Sequence, residues 1–221
     1  MGAKPWRIKV DDEATSAALD AAAATDTVFV CAHGAGGNMS DRALLALTAA
    51  LTSRGLSVVR FNFLYSEHDV RRRDRMPRLI ECFAAVVERV RAELRPRRLF
   101  LGGRSMGGRA ASMMAADGFA CDGLLLFAYP LHPAGAPEKL RDAHLPRIRV
   151  PVLCFNGTRD DLCTRALMER ALATVAGRWE QRWIEGADHS FHVLKSSGTS
   201  DANVLASVAD DTLGFVASIA R

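Results

Sequence analysis

The chain has 221 residues, 49% of them hydrophobic and 24% charged, with a formal net charge of +4 and a pI of about 9.0. That length and apolar content can bury a core, most economically as one domain spanning residues 1–221. No apolar run of about 18 residues offers a membrane span. The opening Met1-Gly2-Ala3-Lys4-Pro5-Trp6-Arg7 lacks the apolar stretch of a secretory signal, so a cytoplasmic location with no membrane partner is expected. Five widely spaced cysteines (Cys31, Cys82, Cys121, Cys154 and Cys163) form no C-x-x-C pair and fit reduced thiols. The basic run Arg71-Arg72-Arg73-Asp74-Arg75, with Arg78 nearby, has no interleaved aromatics. It reads as a solvated loop leading into a helix, and no nucleic-acid partner is expected.

Along the chain, apolar runs of strand length alternate with segments of helical period, the pattern of a parallel sheet covered on both faces. Ile8-Lys9-Val10 adds an edge strand at the start. Thr27 to Ala32 is the first buried strand, followed by a helix from Asp41 to Arg54 that Gly55 stops. Leu56 to Phe63 makes the next strand. Leu79, Phe83, Val86, Val90 and Leu94 then repeat at helical spacing until Pro96. Arg98 to Gly102 reads as a short buried strand, and Arg109 to Ala116 as a helix. Gly123 to Ala128, Val150 to Phe155 and Arg178 to Ile184 supply three more strands, the last two separated by a helix over Thr164 to Ala176. Val204, Val208, Phe215 and Ile219 mark a closing amphipathic helix. The expectation is an α/β fold with a mostly parallel central sheet of about 6–7 strands.

Between the fourth strand and its helix stands Gly103-Arg104-Ser105-Met106-Gly107, a G-x-S-x-G in a strand–turn–helix context. A serine on such a turn is strained and exposed, and the flanking glycines let strand and helix pass closely. A serine hydroxyl becomes a useful nucleophile only when a base takes its proton and a third group holds that base. The partners of a serine in this context follow in the order acid, then histidine. Asp160 lies on the turn after the strand Pro151 to Gly157, with Asp161 as the fallback. His189, in Gly186-Ala187-Asp188-His189-Ser190-Phe191, lies between the last strand and the last helix. His192 competes from three residues on, and Asp188 reads as loop support. Two backbone N–H groups must also face the developing oxyanion, and Met106 and Ala35 are the candidates. Ala35 sits in the turn His33-Gly34-Ala35-Gly36-Gly37, where His33 reads as a brace. That turn lacks the Gly-Lys-Ser/Thr of a P-loop and the third glycine of a dinucleotide fingerprint, and no histidine–cysteine spacing suits a metal. No cofactor and no metal are expected.

These motifs occur together and in order with Arg60-Phe61-Asn62-Phe63 and Tyr129-Pro130-Leu131-His132-Pro133. From Thr27 to its C-terminus the chain resembles the small, cap-less α/β-hydrolases of the dienelactone-hydrolase-like kind. More narrowly it is similar to the bacterial branch of a family whose eukaryotic relatives include a subunit of a chromatin-acetylating complex. The resemblance implies Ser105, Asp160 and His189 as the catalytic triad, in agreement with the residue reading. Leu64 departs from the family pattern, in which Phe-Asn-Phe continues with Pro-Tyr. Because the eukaryotic relatives act as interaction modules, two functions are carried forward. One is a serine hydrolase of small esters or thioesters, and the other a hydrolase-shaped protein-interaction module.

Only about twenty residues, Tyr129 to Arg149, stand where cap domains of this fold are inserted. An open, shallow site is expected, with Gly34, Phe63, Tyr65, Tyr129 and His132 binding a small-molecule ester. Arg104 and Arg109 flank Ser105 and either could meet an anionic substrate, although Arg109 reads more readily as half of an internal ion pair. The assembly is expected to be a monomer or a homodimer.

Overall fold

The computed structural model describes residues 4–23, 25–68 and 73–219, so Arg71 and Arg72 of the basic run lie outside the described residues. The strands are β1 (Lys4–Val10), β2 (Glu13–Asp20), β3 (Thr27–Ala32), β4 (Ser57–Phe61), β5 (Arg98–Arg104), β6 (Gly123–Phe127), β7 (Val152–Gly157) and β8 (Trp179–Ile184). The helices are α1 (Arg42–Thr52), α2 (Leu64–Glu67), α3 (Met76–Leu94), α4 (Met106–Ala116), α5 (Arg165–Leu172) and α6 (Asp201–Ile219). All eight strands join one sheet in the order β1-β2-β4-β3-β5-β6-β7-β8. β3 through β8 pair in parallel, and the β1–β2 hairpin adds two antiparallel strands beside β4. The sheet therefore exceeds the expected six or seven strands by one. The strand that sequence patterning missed is β2, whose EATSAALD carries no run of β-branched or aromatic residues and is held by the strands on either side.

Strand alternation divides the core into two layers. On β3, Val28, Val30 and Ala32 face one layer while Phe29 and Cys31 face the other; β6 does the same with Leu124 and Leu126 against Leu125 and Phe127. The first layer is closed by α3, α4 and α5 through residues such as Phe83, Val87, Met114 and Met168. The second is closed by α1 and α6 through Leu44, Leu47, Leu51, Val208 and Phe215. Phe127 and Phe155 stack there with ring centroids 5.6 Å apart. The hairpin extends the first layer, since Trp6, Ile8 and Val10 point inward while Lys4, Arg7 and Lys9 remain exposed. At the opposite edge, charges line β8, where Glu180 pairs with Arg178 at 2.6 Å and with Arg182 at 3.0 Å. Between β6 and β7 the chain forms only a short 3-10 turn, Leu145–Arg147, so no cap covers the carboxyl ends of the strands.

Glu67, at the end of α2, ties the hairpin to the sheet. Its carboxylate accepts the Ser16 N–H at 3.0 Å, the Ser16 hydroxyl at 3.1 Å and the Asn62 amide at 2.7 Å, and it pairs with Arg7. Burial alone raises the carboxyl pKa, but the Ser16 N–H, Asn62 and Arg7 outweigh it and hold the group below its ordinary value of 4.5. A depressed carboxylate stabilises the fold fully above its unfolded pKa, and that contribution fades as the pH falls through the folded value. Replacing Glu67 by Gln is expected to lower stability by about 1–2 kcal/mol at pH 7. Urea unfolding from pH 6 to pH 3 should show the unmodified protein converging on the variant below pH 4.5.

Candidate active site

In open α/β sheets ligands gather at the carboxyl ends of the strands, where successive connections leave to opposite sides. Here that point lies between β3 and β5, because β4 lies on one side of β3 and β5 on the other. The loop after β3 and the turn after β5 are thereby brought face to face.

The turn after β5 is tight. Ser105 has φ +47° and ψ −115°, a strained conformation for a residue with a side chain, and its N–H donates to the Phe127 carbonyl at 2.9 Å. Two glycines make the turn possible. Gly103 has φ +139°, and a Cβ there would stand 2.1 Å from the Ala32 carbonyl oxygen. A Cβ on Gly107 would stand 2.7 Å from the Ala32 Cβ and from the His33 carbonyl oxygen. The Ser105 Cβ itself lies close to Gly34 at the start of the facing loop.

Two later segments complete the group. The Ser105 hydroxyl donates to His189 Nε2 at 2.9 Å, and His189 Nδ1 donates to Asp160, 2.9 Å from each carboxylate oxygen. The Asp160 side chain is fully buried, and it also accepts the Leu162 N–H at 2.8 Å and the Asn156 amide at 3.2 Å. Asn156 is held in turn, with its amide on the Tyr129 carbonyl at 3.0 Å. Arg104 donates to the His189 carbonyl at 3.0 Å and lies over the Phe191 ring, tying the end of β5 to the histidine loop. The fallbacks stand elsewhere. Asp161 is exposed, and His192 pairs with Asp201 at 2.9 Å on the surface. Asp188 accepts the N–H groups of Ser190 and His192 and so supports the loop.

In the facing loop, buried His33 receives the Phe63 N–H on Nε2 at 3.0 Å, which leaves Nδ1–H to donate to the Gly34 carbonyl at 2.7 Å. Burial lowers its pKa, keeping the ring neutral and suited to that brace. The N–H groups of Ala35 and Met106 have no hydrogen-bond partner among the described residues. Both border the space beside Ser105.

Two cavities of about 480 and 450 Å³ meet at Ser105. Gly34 lines the first, but the side chains of Phe63, Tyr65, Tyr129 and His132 line neither. Phe63 is buried against Phe61 and His33; Tyr65 is buried and accepts the Gly36 N–H at 3.3 Å. Tyr129 points its hydroxyl to the Arg141 carbonyl at 3.0 Å, while His132 bonds Thr164 at 3.0 Å. Tyr65, Tyr129 and His132 have their polar atoms bonded inside the protein, Phe63 packs in the core, and the four shape the site from behind. Arg109 is a second correction, since among the described residues no carboxylate lies within ion-pair distance of its guanidinium. Three residues escaped the sequence reading. Asn156 orients Asp160, Leu162 lines both cavities and Arg141 lines the second. Only the first carried a signal, as a polar residue inside an otherwise apolar strand.

Another serine–histidine contact, Ser112 to His144 at 2.8 Å, is buried where α4 meets the β6–β7 connection. Among the described residues no carboxylate bonds that ring, which meets only the hydroxyls of Ser112 and Tyr129.

Solved structures share the fold at low identity. A serine hydrolase homologue from Coxiella burnetii is 19% identical over 96% of this chain and 98% of its own, with a TM-score of 0.78. A serine hydrolase without a lid from Xanthomonas campestris is 21% identical over 97% and 95%, with a TM-score of 0.77. The dienelactone hydrolase of Anabaena variabilis is 19% identical over 95% of each chain, with a TM-score of 0.76. The family described as alpha/beta hydrolase domain matches residues 25–217, which hold the six strands β3 to β8 and all the residues gathered around Ser105, and the chain belongs to that family.

Proposed function

We propose that the protein is a serine hydrolase of small carboxylic esters or thioesters. The observation that carries this reading is the unbroken chain from the Ser105 hydroxyl through the His189 ring to the buried Asp160 carboxylate, each link 2.9 Å long. His189 Nε2 takes the Ser105 proton as Oγ attacks the acyl carbon, and Asp160 stabilises the resulting imidazolium. The negative charge that develops on the carbonyl oxygen falls to the Ala35 and Met106 N–H groups, the second at the positive end of α4. His189 then protonates the departing alcohol or thiol. Water, activated by the same ring, resolves the acyl-enzyme and returns the proton to Ser105.

The uncapped carboxyl edge and cavities of moderate volume support small or exposed acyl groups over long lipid chains. The narrower likeness to relatives of a chromatin-complex subunit would favour partner binding, but no contact in the site sets it apart from a working triad. The five free cysteines support a reducing compartment such as the cytoplasm.

Labelling with a fluorophosphonate is the direct test. The native chain should label stoichiometrically, Ser105→Ala not at all, and His189→Ala far more slowly. Well-folded native protein that stays unlabelled would favour the interaction-module reading. On 4-nitrophenyl esters, Ser105→Ala and His189→Ala should each lower kcat/KM by about 10³-fold or more. Acetate and butyrate should be turned over faster than palmitate. Arg104→Ala should lower kcat with little change in KM, and Arg104→Lys should recover part of the loss, because the side chain positions the His189 backbone.

A further inference from the structure

The two cavities that meet at Ser105 differ in charge. The first carries Asp41 with Arg42 and Arg104, whereas the second gathers Arg73, Arg109 and Arg141 around a single carboxylate, Asp74. Asp74 already accepts the Tyr65 N–H at 3.1 Å. A guanidinium drawn away from water ordinarily meets a carboxylate. Among the described residues, neither Arg109 nor Arg141 does, and Arg109 Nε is buried without any hydrogen-bond partner. Burial, then the charges of Arg109 and Arg73, holds Arg141 below the usual arginine pKa. Burial and then the Arg109 charge push His144 down to about 4. Among the described residues the cavity lining thus holds three arginines against the one carboxylate of Asp74, and neither Arg109 nor Arg141 is paired with an acid.

The corner is also built to hold its shape. Arg109 stands one turn into α4, and its N–H donates to the Ser105 carbonyl at 3.0 Å, so its distance from the reacting serine is set by the helix. Arg141 lies on an irregular segment, yet its backbone is held at both ends. Its N–H donates to the Leu131 carbonyl at 2.8 Å, and its carbonyl accepts the Tyr129 hydroxyl at 3.0 Å. The Ser112–His144 contact joins α4 to the same segment, fixing the two arginines relative to each other.

We propose that this second cavity is an anion subsite, and that the substrate of Ser105 carries a carboxylate or phosphate on the group seated there. Arg109 and Arg141 bind the oxyanion, with the exposed Arg73 at the mouth adding long-range attraction. The inference rests on the hydrolase reading and deepens it, because it names a class of ester rather than esters in general.

The test compares matched esters at low ionic strength. One pair puts the anion on the acyl side, as the 4-nitrophenyl monoester of glutaric acid against 4-nitrophenyl valerate. The other puts it on the leaving group, as 4-acetoxybenzoate against 4-methylphenyl acetate. In one pair the anionic member should be favoured in kcat/KM by about tenfold or more. Arg109→Gln and Arg141→Gln should each bring that ratio to within about twofold of unity, as should high salt in the native protein. Native ratios of one or less in both pairs, with neutral esters still hydrolysed, would overturn the subsite and leave the hydrolase standing. Should none of the four esters turn over, fluorophosphonate labelling of Ser105 shows whether the hydrolase reading itself has failed. Calorimetric titration of Ser105→Ala with glutarate and with inorganic phosphate then decides the subsite without turnover. Saturable binding that Arg141→Gln abolishes supports it, the preferred anion tells carboxylate from phosphate, and no binding of either overturns it.

Discussion

The arrangement around Ser105 depends on how closely the backbones of β3, β5 and α4 approach one another. Gly103 and Gly107 meet Ala32 and His33 at distances that leave no room for a methyl group. This contact lets β5 end in a strained turn beside the Gly34 loop rather than several ångströms from it. The strain at Ser105 is held by what surrounds it, including a neighbouring strand that receives its N–H and a helix that starts at the next residue. Remove that closeness and Ala35 and Met106 would no longer border the same space.

A second level of support stands behind the first. Every residue in the proposed triad is held by a further partner: Asn156 and Leu162 on the Asp160 side chain, Arg104 on the His189 backbone, and the Phe127 carbonyl on the Ser105 backbone. The aromatic and imidazole groups nearby behave in the same way. His33 and Tyr65 hold the loop after β3, while Tyr129 and His132 hold the long connection after β6. The open face is thus lined by loops whose positions are set from the buried side.

Much of this was legible in the sequence, and the reason is physical. Strands buried on both faces are written as unbroken apolar runs, which marked β3, β6 and β7 with ends within a residue or two. Ser105, Asp160 and His189 sit on the turns and loops that follow β5, β7 and β8, where the topology of a parallel sheet collects them. β2 escaped because alanine and serine carry little strand preference and its pairing is decided by its neighbours. Phe63, Tyr65, Tyr129 and His132 read as pocket residues because rings at strand ends and in loops near a site look the same in sequence whether they face substrate or brace the chain. Arg109 and Arg141 are 32 positions apart (141 − 109), and only the folded chain reveals that they share a cavity.

Both outer strands expose an unpaired row of backbone groups, the feature through which sheets of separate molecules join. β1 meets this with Lys4, Arg7 and Lys9 pointing to solvent, and β8 with a ladder of Arg178, Glu180 and Arg182. A second sheet laid against either edge would have to strip water from these charges. The hydrophobic strands at the centre are thereby kept between charged flanks, so the residues that discourage edge-to-edge pairing lie remote from those gathered around Ser105.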